Sequence, residues 1–106
     1  MAWVLVITAG LLEIIWSFSM KQSQGFTRVA PAVVTLVAAL VSFVLLSISM
    51  RTLPLGTAYT VWTGIGTLGA FLAGVIILGE PLTLGRIAAA VLIVAGLILM
   101  KLSTTV

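Results

Sequence analysis

The chain has no cysteine and no histidine, and its 106 residues include only two acidic side chains. Without cysteine there can be no disulfide and no thiol catalysis. The two absences together remove the usual ligands of zinc and of most other transition metals. We therefore expect no metal site, and nothing in the sequence indicates a cofactor.

Charge of either sign is scarce, whereas apolar residues are abundant. Only 7% of the residues are charged and 62% are hydrophobic, whereas a soluble domain carries roughly 25% charged residues. So much apolar surface would drive aggregation in water, which predicts an integral membrane protein. The pI of about 10.3 comes from isolated basic residues that form no cluster, so binding to nucleic acid is not expected.

The sequence contains four apolar stretches, each long enough to cross a hydrocarbon core of roughly 30 Å as an α-helix. They cover about residues 3–20, 29–50, 56–78 and 84–101. We predict an all-α fold in which residues 1–106 form one four-helix transmembrane domain. Because the connections are only a few residues long, successive helices should pack as antiparallel neighbours.

Several classes of function are excluded at this stage. The sequence has no nucleotide-binding loop, and we find no set of nucleophile, base and oxyanion site. Neither an ATP-driven pump nor an enzyme is therefore expected. A transporter, a channel and a structural membrane subunit remain as alternatives.

Glu13 is the only acidic residue within any of the four stretches, and it lies near the middle of the first. A carboxylate at that depth is costly, so it should face a polar cavity. The alternative, a structural ion pair, would need a Lys or Arg at the same depth, and the sequence has none. Glu13 is therefore the predicted group for which a proton and a cation compete.

Helical spacing indicates which residues surround this carboxylate. Gly10 lies one turn before Glu13 on the same face, and Trp16 and Ser17 lie one turn after it. The glycine leaves room for another helix or a substrate, and Trp16 offers an aromatic surface. Gly10 and Ser17 are expected to line the site.

One stripe of the third helix carries Tyr59, Trp62 and Thr63, which are expected to belong to the site. The alternative for the two aromatic residues is that they form a belt at the membrane interface. Ser42 is the matching polar residue of the second helix, although a serine in a membrane helix often bonds its own backbone.

Glycines and other small residues indicate where a helix can bend and where two helices can pack closely. Gly64 and Gly66 mark a place where the third helix can bend. The fourth helix has no polar residue at mid-depth, and a copy of the chain is expected to pack against its face of Ala89, Leu92, Ile93 and Gly96. Four short helices with one carboxylate cannot surround a path alone, which predicts a homodimer.

Three segments carry a resemblance to a known family: GLLEIIW at 10–16, GFTR at 25–28 and LPLGTAYTVWTGIG at 53–66. With them the chain resembles the small multidrug resistance family over nearly its whole length, and within it the guanidinium exporter subtype. Trp16 distinguishes the guanidinium exporter subtype from the quaternary ammonium subtype, because the latter has a glycine at this position. Ser17 and Thr60 depart from the pattern, which more often has alanine at both positions.

The resemblance implies an antiparallel, dual-topology homodimer in the bacterial inner membrane that exchanges protons for a guanidinium-type cation by alternating access. It assigns Glu13 as the shared proton and substrate site, with Trp16, Ser42, Tyr59 and Trp62 as further binding residues. Guanidinium, an alkylguanidinium and a guanylurea-like cation all fit this class. A polyspecific quaternary ammonium exporter and a non-transporting subunit stay open as alternatives.

The basic residues are compatible with both orientations. With the N-terminus inside, Arg51 and Lys101 lie on the cytoplasmic side, and Lys21, Arg28 and Arg86 lie outside. The positive-inside rule acts on the Lys and Arg asymmetry of short loops, and here the two sides differ by a single residue. We therefore expect insertion in both directions.

Overall fold

A computed structural model describes residues 1–104, so residues 105–106 of the predicted domain lie outside the described part. Its four helices are α1 (Ala2–Gln22), α2 (Val29–Ser49), α3 (Leu55–Ile76) and α4 (Leu84–Ser103). Each is long and apolar enough to cross a membrane. The prediction of four spanning helices is thus confirmed.

Ser23 organises the turn between α1 and α2. It is fully buried, and its hydroxyl donates to the Met20 carbonyl at 2.7 Å and accepts from the Phe26 N–H at 3.0 Å. Residues 24–26 all have positive φ, a conformation that Gly25 adopts without strain. The polar groups at the end of α1 are thereby satisfied within a tight turn.

The lateral order of the helices differs from their order along the chain. α1 packs against both α2 and α3, α4 packs only against α3, and α2 meets α3 over a small area. The spatial order is therefore α2, α1, α3, α4, in a layer whose extents are 43 × 34 × 16 Å. The expectation that successive helices are neighbours holds for α1 with α2 and for α3 with α4, whereas α2 and α3 meet over a small area only, because a short connection constrains only the ends that it joins.

Glycines explain why α1 rather than α2 lies beside α3. Gly10 of α1 contacts Ile65, and Gly69 of α3 contacts Ile14 so closely that a Cβ on that glycine would overlap the isoleucine side chain. Gly66 approaches Glu13 in the same way. Side chains of either helix thus rest on bare backbone of the other, as in other closely packed membrane helices.

The buried core is small and lies where α1, α2 and α3 meet. Its members are apolar side chains of these three helices and of the connection before α3: Val6, Ala9, Leu46, Leu53, Ala58, Val61 and Trp62. None of the described residues of α4 is buried. The apolar surface of α4 is therefore available to lipid or to another protein chain.

The close approach of α1 and α3 can be tested with Gly10→Ala. An added Cβ would lie 2.8 Å from the Cβ of Ile65, which is branched and cannot easily move away. Overpacking of this kind costs about 1–3 kcal/mol, so we expect a lower melting temperature in detergent, followed by circular dichroism.

Gly56→Ala is the matched control, because nothing lies within 4 Å of a Cβ at that position in the first turn of α3. It should leave the melting temperature unchanged or raise it slightly. Equal melting temperatures for the two variants would contradict the close contact between α1 and α3.

Candidate functional site

Glu13 lies on the face of α1 that packs against α3. Its carboxylate rests on the backbone of Gly66, and a Cβ on that glycine would overlap the carboxylate oxygen Oε1. This oxygen is buried and has no hydrogen-bond partner among the described residues. Glu13 is therefore held in place by close packing, while its buried acceptor remains unsatisfied.

Trp16 has the complementary unsatisfied group one turn further along α1. Its indole Nε1–H is buried and also has no hydrogen-bond partner among residues 1–104. The indole N–H therefore makes no hydrogen bond to Glu13 within the described residues. Because buried polar groups are rarely left unpaired, an unpaired acceptor and an unpaired donor one turn apart indicate a place that a ligand, water or a second chain completes.

Ser42 connects three helices through one hydroxyl group. The hydroxyl donates to the Ala9 carbonyl of α1 at 2.7 Å and accepts from the Trp62 indole N–H of α3 at 3.0 Å. Ser42 is fully buried, and Trp62 is only 8% exposed. Ser42 therefore does not bond the backbone of its own helix, and the burial of Trp62 does not fit an interfacial belt.

Four aromatic rings form a continuous row across the site. The ring centroids of Trp16 and Phe43 are 6.2 Å apart, those of Phe43 and Trp62 5.8 Å, and those of Trp62 and Tyr59 5.5 Å. Tyr59 lies at the open end of the row and is 53% exposed. Sequence reasoning missed Phe43, for which its position next to Ser42 was the only available signal.

The remaining predicted site residues are distributed over other surfaces. Ser17 donates to the Ile14 carbonyl at 3.1 Å and lines a cavity near the end of α1. Thr63 is exposed and lines a different cavity, of about 530 Å³ between α3 and α4, together with Tyr59. Gly10 contacts Ile65 of α3, as described above.

Gly64 and Gly66, the predicted bend, lie within the unbroken helix α3. Both are points of close approach, Gly64 to Leu97 of α4 and Gly66 to Glu13 of α1. Bending at these positions stays a prediction. Of the predicted dimer surface on α4, Ile93 is half-buried and the other three residues are exposed: Ala89, Leu92 and Gly96.

Metal binding finds no support in the described residues. Within residues 1–104, no group of three or more His, Cys, Asp and Glu side chains lies close enough to hold an ion. What the geometry brings together is a carboxylate with one buried oxygen, a row of aromatic faces and a Ser–Trp hydrogen bond. These are groups suited to an organic cation.

Comparison with known proteins identifies the family. The model of the family described as Small Multidrug Resistance protein matches residues 1–94. The chain belongs to this family. Among its relatives, a protein from Citrobacter freundii named Guanidinium exporter is 50% identical over 98% of this chain and 99% of its own length.

Two further relatives in the small multidrug resistance family carry the same name. The Yersinia pestis protein is 49% identical, over 98% of this chain and 100% of its own length. The protein from Escherichia coli strain K12 is 48% identical, over 98% and 99%. With its four spanning helices, the chain is a multi-pass protein of the bacterial inner membrane.

The hydrogen bonds of Ser42 can be tested with Ser42→Ala. Loss of the hydroxyl leaves the buried Trp62 N–H without an acceptor, a defect that costs about 1–3 kcal/mol. We expect a lower melting temperature and altered tryptophan fluorescence. Ser47→Ala removes an exposed hydroxyl from the same helix and should change neither. If Ser42→Ala changed neither the melting temperature nor the fluorescence, the hydrogen bonds of Ser42 would contribute little to stability.

Proposed function

We propose that this chain is a proton-coupled exporter of guanidinium or of a small guanidinyl cation, working by alternating access as an antiparallel homodimer. The observation that carries the proposal is the partly buried carboxylate of Glu13, whose oxygen Oε1 is buried and unpaired and lies on the bare backbone of Gly66. Membership of the small multidrug resistance family supports a small-molecule exporter in general. The names of the relatives support guanidinium in particular.

The chemistry of guanidinium suits Glu13 and its aromatic surroundings. The cation is planar and weakly hydrated, it only donates hydrogen bonds, and two parallel donors match the two oxygens of a carboxylate. Trp16, Phe43 and Trp62 add ring faces, which attract cations. We propose Glu13, Trp16, Ser42, Tyr59 and Trp62 as the binding residues.

Ser42 and Trp62 act in this proposal mainly as positioning residues. The Ser42 hydrogen is already donated to the Ala9 carbonyl, and its oxygen already accepts from Trp62. A donor-only cation would need the second lone pair of this oxygen, and Ser42 is fully buried in the single chain. The direct charge partner of the substrate is therefore Glu13, while Ser42 holds α1, α2 and α3 in register around it.

Coupling to protons follows from the use of one carboxylate for both cations. A protonated Glu13 has no negative charge to bind guanidinium, and a guanidinium seated on the carboxylate excludes the proton. The proton and guanidinium therefore compete for one group, so binding of either cation favours release of the other. In a dimer the two Glu13 side chains would interact, and their titration would belong to the pair.

The dimer is supported by surfaces that one chain leaves uncovered. α4 has no buried residue among those described, and Leu92 on its predicted dimer face is 71% exposed. The layer is only 16 Å thick, too shallow to enclose a substrate path by itself. Since the basic residues favour neither orientation, one sequence can supply both halves of an antiparallel pair.

A second candidate is a polyspecific exporter of quaternary ammonium ions. The aromatic row from Trp16 to Tyr59 favours it, because such ions bind to aromatic faces without needing hydrogen bonds. The two candidates differ in their use of hydrogen-bond donors. Guanidinium and tetraethylammonium are therefore compared side by side in the following experiment.

We predict that Glu13→Gln abolishes guanidinium-driven proton flux in proteoliposomes that contain the purified protein. The amide keeps the shape of the side chain but removes its charge and its ability to titrate, so substrate binding and proton exchange should be lost together. Thr8→Gln places the same amide on an exposed face of α1 and should keep the flux. Flux retained in Glu13→Gln would overturn the mechanism, and a larger response to tetraethylammonium than to guanidinium in the unmodified protein would favour the second candidate.

Dual topology predicts that about half of the molecules present the first turn to the outside, since neither side has a clear excess of Lys and Arg. The chain has no cysteine, so Gln24→Cys introduces a single thiol at an exposed position of this turn. A membrane-impermeant maleimide applied to intact cells should label roughly half of it, and permeabilised cells should be labelled completely.

Gln22→Lys provides the control for this orientation experiment. Added to Gln24→Cys, it places a fourth basic residue on the side of Lys21, Arg28 and Arg86, which should then stay in the cytoplasm. Labelling from outside should fall well below half. Complete or absent labelling of the single variant Gln24→Cys in intact cells would contradict dual topology.

A further inference from the structure

The second acidic residue of the chain, Glu80, lies in the connection between α3 and α4. Its carboxylate rests on Gly74 near the end of α3, where a Cβ would overlap the oxygen Oε1. The Glu80 N–H also donates to the Gly74 carbonyl at 3.0 Å. Contacts of both backbone and side chain therefore fix this carboxylate at the end of the helix layer.

Arg86 of α4 places its guanidinium group among three different partners. Its Nη1 donates to the Pro81 carbonyl at 2.6 Å, and its Nη2 is 3.6 Å from Oε1 of Glu80. Its Cζ lies 5.0 Å from the centroid of the Phe71 ring. A carboxylate, a carbonyl oxygen and an aromatic face are the groups that bind a planar guanidinium cation.

This arrangement is open to exchange. The side chains of Arg86 and Glu80 are 36% and 40% exposed, and ion pairs of such exposure contribute little to stability. Beside them lies a cavity of about 420 Å³. Its lining includes residues of α1, of α3, of the connection after α3 and of the start of α4, among them Ser17, Lys21, Thr67, Gly74, Glu80 and Arg86.

The position of this cavity relates it to Glu13. Ser17, which lines it, lies one helical turn after Glu13 on the same face of α1, and Lys21 lies one turn further towards the helix end. The cavity therefore extends along α1 from the neighbourhood of Glu13 towards one surface of the membrane. A cation that moved along this side would meet Glu80 first.

We propose that Glu80, the Phe71 ring and the Pro81 carbonyl form a peripheral guanidinium-binding site, which Arg86 occupies in this structure. A transported guanidinium displaces Arg86 and takes its place on the way to or from Glu13. The proposal rests on the function proposed above, because only a guanidinium-type substrate shares the head group of Arg86. Arg86 is then a tethered competitor of the substrate.

The local charges require that Arg86 leaves before a free cation binds. The described charged groups at the cavity are Lys21, Arg86 and Glu80, so with Arg86 in place two positive charges face one negative charge. Another cation is then disfavoured. When the long Arg86 side chain turns towards the membrane surface, as basic side chains at helix ends can, Glu80 becomes available.

The experiment measures the KM for guanidinium in proteoliposomes through guanidinium-driven proton flux. Arg86→Gln removes the competitor and should lower the KM, whereas Glu80→Gln removes the carboxylate and should raise it. Each change should be about 2-fold to 5-fold, the range for an exposed ion pair, with little effect on kcat. A purely structural ion pair would instead impair both variants in the same direction.

The double variant Glu80→Gln with Arg86→Gln separates exchange from general electrostatics. If Arg86 acts by occupying Glu80, removing it should bring no gain once the carboxylate is gone, so the double variant should match Glu80→Gln. If Arg86 only repels cations through its charge, the same gain should appear in both backgrounds. The second result would overturn the proposal.

Arg28→Gln is the matched control, because Arg28 is exposed and lies on the same membrane side as Arg86, so both changes alter the orientation charge balance equally. It should leave the KM unchanged. Size-exclusion elution checks folding. Glu80→Asp offers a second variant that keeps the charge on a side chain one methylene shorter and should raise the KM less than Glu80→Gln. Absence of guanidinium-driven proton flux in the unmodified protein would overturn the proposed function. Normal flux in that protein, without opposite KM shifts in Arg86→Gln and Glu80→Gln, would overturn the peripheral site alone.

Discussion

The structure depends on the direct contact between α1 and α3 at glycine positions. A carboxylate in the middle of a membrane helix must pack against protein or face water, and here its oxygen Oε1 is buried on Gly66, where no side chain competes for the space. Gly69 accepts the side chain of Ile14 on the same helix pair, and Gly10 is in contact with Ile65. Any larger residue at position 66 would displace the carboxylate. The position of Glu13 therefore depends on the same glycine contact that places α1 beside α3.

The polar groups near this contact divide into two kinds. The hydroxyl of Ser42 accepts from the indole N–H of Trp62 and donates to the Ala9 carbonyl, so these groups complete the fold of the single chain. An oxygen of Glu13 and the N–H of Trp16 are buried but unpaired. Since an unpaired buried group is costly, the second kind is where the single chain is incomplete and where binding can yield the most free energy.

Sequence reasoning predicted the features that depend on composition and helical spacing. The four spanning helices follow from the apolar stretches, and the placement of Trp16 one turn beyond Glu13 follows from the helical repeat. It could not predict the partner of Ser42, because a period gives the face of a residue but not the helix that covers that face. For the same reason it missed Phe43, which contacts both Trp16 and Trp62, and the insertion of α1 between α2 and α3.

The central position of α1 has a consequence for how the protein is made. α1 is synthesised before the other three helices, and both of its covered faces contact two of those later helices. Until α3 arrives, Glu13 has no Gly66 to rest on, and an exposed carboxylate at mid-depth is expensive in lipid. The cost of placing Glu13 in lipid therefore falls once α3 has emerged and covers it. The stability of α1 in the membrane thus depends on helices made after it, although each span alone is long and apolar enough to cross the membrane.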